Sequence, residues 1–254
     1  MIRVIKLGGR LQGDPTVPQA LAQAVADVSA GQVVIVHGGG DDVSALQRQL
    51  GQEPRFVGGR RVTTAAELDV VRMVLSGVVN KRLVRQLLSA GVPAVGISGD
   101  DGGLLIADVL DHGALGAVGA PRSADRRVVD ALLNAGFIPV VSPLGRDATS
   151  GEGLNVNGDD AAAALAVSLA ASELLLLADV PGVLDDTGRP LVSLDLERAA
   201  RLVLDGIAKG GMSAKLDAAR RALTGGVTRV RIGNAGALRD SSAGTTITLS
   251  PSVV

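Results

Sequence analysis

The chain has 254 residues, 46% of them hydrophobic, which is enough to bury a sizeable core in one α/β domain or in two closely joined lobes. A net charge of -1 at pH 7 leaves no excess positive field, which argues against nucleic acid or an anionic membrane as a partner. With no cysteine in the sequence, disulfides and thiolate metal sites are excluded. The N-terminus reads as a strand without a secretory signal, and every apolar run is shorter than the roughly 18 residues of a membrane helix. We therefore expect a cytoplasmic protein.

Short β-rich runs alternate with helical runs, and Gly or Asp marks the junctions, which is typical of a mostly parallel sheet covered by helices. The predicted elements of the first half are strand Ile2–Leu7, helix Pro18–Ala30, strand Val33–Val36, helix Asp41–Leu50, strand Val92–Ile97, helix Ala124–Ala135 capped by Ser123, and strand Ile138–Ser142. Those of the second half are helix Asn157–Ala171, strand Glu173–Val180, helices Asp195–Leu204 and Met212–Leu223, and strands Val227–Ile232 and Thr245–Leu249. We expect the two halves to share one sheet, with a lobe boundary near Ala171.

Two hairpins are predicted above the ends of the strands. The glycine pair Gly58-Gly59 divides the extended run Phe56–Val62, which favours a tight turn, and this hairpin could act as a lid. The runs Leu104–Val109 and Ala114–Ala120 form the second hairpin.

A long helical region is predicted from Thr64 towards Ala90. It opens on the capping box Thr64-Ala65-Ala66-Glu67 and should break or kink near Gly77. Its apolar residues occupy most of the circumference of the helix. The helix is therefore either deeply buried or packed against a second subunit, and we favour a dimer.

Lysine is rare in this sequence. Of the 25 cationic side chains only four are lysines, namely Lys6, Lys81, Lys209 and Lys215. Lys81 lies in a helical stretch and is interpreted as a solvated surface residue. The other three lie beside glycines at element boundaries, where a compact ammonium group reaches a phosphate more freely than a guanidinium. They are candidate phosphate ligands.

Two glycine clusters follow predicted strands, at the edge where open α/β sheets bind ligands. Lys6-Leu7-Gly8-Gly9 ends the first strand, and Gly38-Gly39-Gly40 precedes a helix whose first N–H groups offer an anion site. Neither cluster is a P-loop, because the Gly-Lys-Ser/Thr ending is missing. An ordinary tight turn remains the alternative for each.

Three further segments place polar groups or glycines at element boundaries. Asn155-Val156-Asn157-Gly158-Asp159 brings side chains to one side of an extended segment before a helix, although a polar loop with an Asn cap explains it equally. Asp179–Leu184 follows the most apolar strand and suits a purine edge or a plain αβ connection. Lys209–Lys215 places two lysines around a glycine pair at a helix start, and a solvated helix start is the alternative.

In this order the motifs resemble those of the amino acid kinase family, and the resemblance runs from the first strand nearly to the C-terminus. The motifs that carry it are Lys6-Leu7-Gly8-Gly9, Val36-His37-Gly38-Gly39-Gly40, Gly59-Arg60-Arg61-Val62-Thr63, Asn155-Val156-Asn157-Gly158-Asp159, Asp179-Val180-Pro181-Gly182-Val183-Leu184 and Gly211-Met212-Ser213-Ala214-Lys215. The resemblance implies a three-layer αβα sandwich with a mostly parallel central sheet, in a single domain over 1–254. Residues 1–171 would hold the substrate and the dimer contacts, and 172–254 would bind the nucleotide.

The resemblance also implies an activity. Arg61 and Asn155-Val156-Asn157 resemble those of the members that phosphorylate the γ-carboxylate of N-acetyl-L-glutamate with ATP in arginine biosynthesis. Lys6 and Lys215 would then stabilise the phosphoryl group in transfer, and Asp159 would position both lysines. The implied substrate contacts are Gly38, Gly39, Arg61, Asn155 and Asn157. The implied nucleotide contacts are Gly8, Gly9, Asp179, Val180, Pro181, Gly182, Val183, Leu184, Ile207, Ala208 and Lys209. Mg²⁺ would be held through the ATP phosphates, without protein ligands.

Two alternatives and two departures stay open. The chain could be a sister kinase for N-succinylglutamate or a carrier-linked aminoadipate, or a non-catalytic nucleotide-binding regulator, which the retention of Lys6 and Lys215 argues against. Asp160 adjoins Asp159, so the choice between the two acids depends on register alone. Members inhibited by arginine carry a helix ahead of the first strand, whereas this chain starts at the strand. We therefore expect a homodimer that arginine does not inhibit.

Overall fold

The computed structural model describes residues 1–9, 11, 16–27 and 32–249. Its strands are β1 (Ile2–Leu7), β2 (Gln32–His37), β3 (Phe56–Val57), β4 (Arg60–Arg61), β5 (Ala94–Ser98), β6 (Leu105–Val109), β7 (Val118–Ala124), β8 (Ile138–Ser142), β9 (Leu144–Asp147), β10 (Gly153–Val156), β11 (Glu173–Leu177), β12 (Ser193–Asp195), β13 (Arg229–Gly233) and β14 (Thr245–Thr248). Its α-helices are α1 (Thr16–Asp27), α2 (Gly40–Gln49), α3 (Ala65–Arg72), α4 (Asn80–Ser89), α5 (Arg127–Asn134), α6 (Gly158–Ser168), α7 (Leu196–Leu204) and α8 (Gly211–Thr224).

Eight of the strands form one central sheet in the order β12-β14-β13-β11-β1-β2-β8-β5. Every neighbouring pair is parallel except β13 and β14, which confirms the predicted mostly parallel sheet. The sheet is continuous across the two halves of the sequence, because β1 lies between β2 and β11. In this register Lys6 of β1 lies opposite Val36 and Leu176, at the carboxyl edge of the parallel strands.

The two faces of the sheet carry separate apolar cores. Side chains alternate along each strand, so Val4 of β1 contributes to one core and Ile5 to the other. Helices α5, α6, α7 and α8 pack on the first core, whereas α1 and α4 pack on the second. The strands are apolar on both faces because both are covered. This arrangement confirms the predicted three-layer αβα sandwich.

The two predicted hairpins are present above the sheet. Strands β3 and β4 pair as an antiparallel hairpin around Gly58 and Gly59, whose φ angles of 54° and 76° fit a two-residue turn that other residues enter only with strain. Strands β6 and β7 form the second hairpin and close with β9 and β10 into a small four-stranded barrel. The sequence patterns did not indicate β9 or β12, whereas β10 includes the start of the segment from Asn155 that was predicted to be extended before a helix.

The fifth helix starts later than predicted, and the prediction that Ser123 caps it is wrong. Ser123 lies in β7, opposite Ile106 of β6, and the helix begins at Arg127. Pairing with β6 extends β7 over the residues that a local capping pattern had favoured. The predicted end of the first helix, at positions 28–30, lies outside the described residues.

The long helical region begins and breaks where the sequence indicates. The side chain of Thr64 accepts a hydrogen bond from the Glu67 amide, and Glu67 Oε2 accepts one from the Thr64 amide at 2.7 Å, so the capping box is formed. Gly77 lies in a π-helical segment, Met73–Val79, which separates α3 from α4. No helix within the described ranges is long and apolar enough to cross a membrane.

A buried polar contact joins the start of α4 to the end of β2. The Asn80 amide donates to His37 Nε2 at 3.1 Å and to the Val140 carbonyl at 2.8 Å. Since Nε2 accepts, the His37 proton is assigned to Nδ1, which donates to the Gly38 carbonyl at 2.7 Å. Burial lowers the pKa of His37 to about 4. His37 therefore holds the first glycine of the Gly38–Gly40 turn as a neutral imidazole.

Neutral His37 should make the protein sensitive to mild acid. The unfolded chain binds a proton near the ordinary pKa of 6.5, whereas the folded chain does not until about 4, so stability falls as the pH is lowered through this window. The loss should reach at most about 3 kcal/mol. We expect His37→Asn to flatten the dependence of the free energy of unfolding on pH between these values.

The measurement is urea unfolding followed by circular dichroism, because the chain has neither Trp nor Tyr to report by fluorescence. The control is His112→Asn, which alters the other histidine of the chain at an exposed turn position. Equal pH slopes for wild type and His37→Asn would show that His37 is not the group responsible.

Candidate active site

Two lysines from distant parts of the sequence meet one carboxylate. Lys6 Nζ, at the end of β1, lies 2.9 Å from Asp159 Oδ1. Lys215 Nζ, on α8, lies 3.3 and 3.2 Å from the two oxygens of the same carboxylate. All three side chains are buried. The structure thus brings together the three predicted catalytic residues, and we call them the Lys–Asp–Lys cluster.

The start of α6 fixes the carboxylate of this cluster. Asn157 is the N-cap residue, and its side-chain oxygen accepts hydrogen bonds from the amides of Asp159 at 2.8 Å and Asp160 at 3.3 Å. A Cβ atom on Gly158 would lie 3.2 Å from Lys6 Cε, so a larger residue here would press on the lysine. Acidic residues also suit the positive end of a helix.

Burial and charge act in opposite directions on the cluster. Burial alone would raise the pKa of Asp159, but the charges of Lys6 and Lys215 outweigh it, and the net shift is downward. Burial lowers the pKa of Lys215, and the neighbouring Lys6 ammonium adds to this effect, whereas Asp159 opposes it. Two ammonium groups and one carboxylate leave a net charge of +1, so the cluster attracts an anion.

The two glycine turns at the carboxyl edge pack against each other. The Gly38 amide donates to the Leu7 carbonyl at 2.9 Å, and a Cβ on Gly9 would lie 3.4 Å from the Gly39 nitrogen. A Cβ on Gly39 would collide with Leu75 Cδ2 at 2.7 Å. These turns are therefore glycine-rich because backbone meets backbone there, beside the Lys–Asp–Lys cluster.

A small cavity of about 170 Å³ lies next to the second glycine turn, and we call it the small cavity. Among the predicted substrate-binding residues, its lining includes Gly38, Gly39, Arg61, Asn155 and Asn157. The structure thus brings all five to one place. The apolar side chains of the wall are those of Val43, Phe56, Val71, Leu75, Val118, Pro143 and Val156.

Arg61 is held in the wall of the small cavity by α2. Its guanidinium donates to the Gly40 carbonyl at 2.8 Å, to Ser44 Oγ at 2.7 Å and to Gln47 Oε1, and it lies 4.7 Å from the centre of the Phe56 ring. These three hydrogen bonds use three of its five N–H donors. The guanidinium is thus pre-positioned for an anion in the cavity.

Ser44 and Gln47 were not predicted. Both lie on the buried face of α2, where a polar residue three positions after another is the only signal that the sequence offers.

Asn155 is positioned by the segment that follows the first hairpin. Its amide donates to Thr63 Oγ1 at 3.0 Å, and Thr63 Oγ1 donates to the Arg61 carbonyl at 3.1 Å. Asn155 is therefore linked to Arg61 through the side chain of Thr63.

A second, larger cavity of about 790 Å³ opens between α7 and α8, and we call it the large cavity. Its lining includes Ala208 and Lys209 of the predicted nucleotide contacts, together with apolar residues of α7. The two cavities share three wall residues, which are Gly59, Arg60 and Asn157. Among the described residues, the lining of the large cavity includes none of the other predicted nucleotide contacts.

Of those other contacts, Gly8, Gly9 and Asp179–Leu184 follow β1 and β11 at their carboxyl edge, whereas Ile207 lies between α7 and α8. A Cβ on Gly8 would lie 3.2 Å from the Leu177 carbonyl, so the first glycine turn abuts the end of β11. The loop that continues from β11, Asp179–Leu184, exposes Asp179 and Pro181 and buries Gly182 and Val183. Thr245 anchors it, since Thr245 Oγ1 accepts from the Val183 amide at 2.8 Å.

Asp160, the second acid of α6, points away from the lysines. Its carboxylate accepts from Arg60 Nη1 of the first hairpin at 2.7 Å and from Arg221 Nη2 of α8. The two consecutive acids are thus divided between two lysines and two arginines. The sequence analysis did not predict Arg60 or Arg221 as partners of this acid.

The chain is similar to known proteins over most of its length. Residues 1–234 match the amino acid kinase family. The chain is 44% identical over 230 residues to the acetylglutamate kinase of Geobacillus kaustophilus (strain HTA426), a match that covers 90% of this chain and 88% of that protein. It is 43% identical over 242 residues to the acetylglutamate kinase of Methanopyrus kandleri, over 92% of this chain and 95% of that protein.

A solved structure gives the same result for the fold. The crystal structure of smu.665 from Streptococcus mutans UA159 superposes with a TM-score of 0.86 at 31% identity, over 98% of this chain and 99% of that one. The match therefore extends over nearly the whole of both chains. On the sequence match and the shared architecture together, the chain belongs to the amino acid kinase family.

Proposed function

We propose that the chain transfers the γ-phosphoryl group of ATP to the γ-carboxylate of N-acetyl-L-glutamate and so makes N-acetyl-L-glutamyl 5-phosphate, a step of arginine biosynthesis. The observation that carries the proposal is the Lys–Asp–Lys cluster, which lies where the glycine turns and α6 meet. The relatives named acetylglutamate kinase, at 43 to 44% identity over nine-tenths of the chain, support the choice of substrate. A cytoplasmic location stays a prediction from the composition.

The reaction needs charge neutralisation and positioning more than proton transfer. A γ-carboxylate is already ionised at neutral pH, so it attacks without a general base. Phosphoryl transfer builds negative charge on the moving group and the leaving oxygen. Lys6 and Lys215 offer two positive charges to that group, and Asp159 sets where the two ammonium groups lie.

The small cavity is the proposed site for the acyl amino acid. Arg61 would pair with the α-carboxylate, the Gly38 and Gly39 backbone would approach the substrate closely, and Asn155 and Asn157 would contact the acylamino end. The volume of about 170 Å³ and the apolar wall favour an acetyl group over a longer, charged acyl chain. A succinyl group would place a second carboxylate against that wall.

The nucleotide is proposed to lie on the other side of the shared wall. Gly8 and Gly9 would lie near the phosphates, whereas the loop Asp179–Leu184 and the segment Ile207, Ala208 and Lys209 would contact the rest of ATP. Mg²⁺ would be held by the phosphates, because the ammonium groups of Lys6 and Lys215 suit an anion and repel a metal ion. When bound, Mg²⁺ would neutralise phosphate charge and help align the γ-phosphoryl group.

The central test is formation of the acyl phosphate, trapped as a hydroxamate, from ATP, Mg²⁺ and N-acetyl-L-glutamate. N-succinyl-L-glutamate, L-glutamate and L-aspartate are run in parallel. We expect turnover with N-acetyl-L-glutamate, and a loss of kcat of about a hundredfold or more in Lys6→Met and in Lys215→Met, because each removes one charge from the transition state. Lys81→Met, which alters an exposed lysine outside both cavities, should keep its activity.

Each other outcome identifies one of the alternatives. Activity confined to another acid would keep the mechanism and change the substrate. No activity with any acid, in a folded protein that binds ATP, would favour the nucleotide-binding regulator.

The pH dependence of kcat should separate Asp159 from Asp160. The reaction needs Lys215 in its charged form, and that charge is lost as the pH rises through the pKa of Lys215. Burial lowers this pKa, and the charge of Asp159 opposes the lowering. In Asp159→Asn the pKa of Lys215 should fall further, so the alkaline decline of kcat should begin at lower pH than in wild type. Asp160→Asn should leave this limb in place. A shift in Asp160→Asn and none in Asp159→Asn would reverse the assignment.

The chain is also proposed to form a homodimer through the long helical region. Within Ala65–Ser89 the large apolar side chains left exposed are Met73, Val78 and Leu88, each more than half accessible. Burying them against a second copy would remove apolar area from water. Sedimentation equilibrium should show a dimer for wild type and a monomer for Val78→Glu. Val192→Glu, at an exposed position outside this region, should stay dimeric. A monomeric wild type would contradict the proposal.

A further inference from the structure

The first hairpin is too small to hold its own position. Its strands β3 and β4 have two residues each, and Phe56 and Val57 of β3 are 56% and 58% exposed. An isolated two-stranded hairpin is marginal in water, and one that buries little apolar area needs other contacts to fix it. Yet this hairpin carries Arg60 in the wall shared by both cavities and Arg61 in the wall of the small one.

Two sets of contacts fix the hairpin. Arg61 is hydrogen-bonded to α2, and a buried ionic bridge holds Arg60. Arg60 Nη1 lies 2.7 Å from Asp160 Oδ2, and Arg221 Nη2 binds the other oxygen of the same carboxylate. Only 3% of the Asp160 side chain is exposed, and 24% of the Arg60 side chain. Arg221 is itself held at 2.5 Å by Asp217 of the same helix. The bridge therefore joins the hairpin at one end to α6 and α8 at the other.

The bridge connects the first hairpin to elements of the Lys–Asp–Lys cluster. Helix α8 carries both Lys215 and Arg221, and α6 carries both Asp159 and Asp160. The hairpin is thus tied to two of the three elements that build the cluster. Burial raises the pKa of Asp160, and the two guanidinium groups oppose that rise. Loss of either arginine would leave a buried charge with one partner fewer.

We propose that Arg60 and Asp160 are positioning residues for the kinase reaction, in which the Asp160 carboxylate bridges Arg60 of the hairpin to Arg221 of α8 and holds the hairpin docked over the small cavity. This inference rests on the proposed function for its kinetic consequences, and on the geometry alone for its structural ones. With the bridge intact, the wall that carries Arg61 is in place before the substrate arrives.

The kinetic signature is a change in KM with little change in kcat. If the hairpin is docked in only a fraction of the molecules, the apparent affinity for the substrate falls by that fraction, and saturating substrate restores the docked state. We expect Arg60→Met to raise KM for N-acetyl-L-glutamate about tenfold, with kcat within about twofold of wild type. Arg60→Met is the primary variant because Asp160 keeps Arg221 as a partner and the fold should be retained.

The second kinetic test is a double-mutant cycle. Arg60→Met and Asp160→Asn remove the same contact, so the double variant should have the KM of the single ones rather than the product of their effects. The matched control is Arg122→Met, which breaks an exposed Arg–Asp pair of the second hairpin, at 3.7 Å from Asp108. Its KM should stay within about twofold of wild type.

A structural readout tests the bridge without any turnover. The chain has no cysteine, so Val57→Cys on the hairpin and Thr224→Cys at the end of α8, both exposed, take a pair of spin labels with no background. In the ligand-free protein the distance between the labels should be narrowly distributed. Adding Arg60→Met should broaden the distribution of distances and increase the mean distance between the labels. N-acetyl-L-glutamate should narrow the distribution again.

The outcomes separate the two proposals. If wild type fails to phosphorylate N-acetyl-L-glutamate, the proposed function is wrong, and the label distances in the ligand-free protein still decide the role of the bridge. The positioning role is overturned if Arg60→Met has the wild-type KM and the wild-type distance distribution. It is also overturned if the KM effects of Arg60→Met and Asp160→Asn multiply.

Discussion

A carboxylate buried between two ammonium groups is the interaction on which the active site depends. Asp159 comes from the start of α6, Lys6 from the end of β1 and Lys215 from α8. A buried carboxylate without cations would take up a proton, and a buried lysine pair without the carboxylate would lose its charge to desolvation and mutual repulsion. No one of the three charges is stable there alone. The three elements must therefore meet in register before the site carries any charge to offer a phosphate.

The Asp159 carboxylate stabilises the two lysine charges, but it also competes with the incoming phosphoryl group for them. With Asp159 in contact with both, the cluster has a net charge of +1, so an incoming phosphoryl group finds attraction that is partly neutralised. Removing the acid would leave more positive charge only if both lysines stayed protonated, which burial opposes. Electrostatic preorganisation here means that both ammonium groups are charged and in place before the reaction, although their attraction for the phosphoryl group is weaker.

The sequence predicted what depends on local patterns. Strand β1 was predicted with its observed bounds, and the capping box at Thr64 and the Gly58-Gly59 turn both formed, because each is decided by a few neighbouring residues. The charge network around Asp160 was not predictable in the same way, since its bonds join residues 100 and 61 positions apart. The prediction for Ser123 was wrong for a related reason. Pairing with β6 extends β7 past Ala120, where the pattern had ended that strand, and a local capping signal does not reveal this pairing.

The wall between the two cavities limits how the proposed reaction can be arranged. Among the described residues, Gly59, Arg60 and Asn157 are the ones that border both, so acceptor and donor would meet across a turn glycine, an arginine and a helix cap. The helix cap is fixed by its bonds to α6, whereas the other two residues belong to a hairpin with two residues in each strand. In-line transfer tolerates little misplacement. The precision of the junction therefore depends on the contacts that fix the hairpin. These are the hydrogen bonds from Arg61 to α2 and the bridge from Arg60 to Asp160, the neighbour of the acid that organises the lysines.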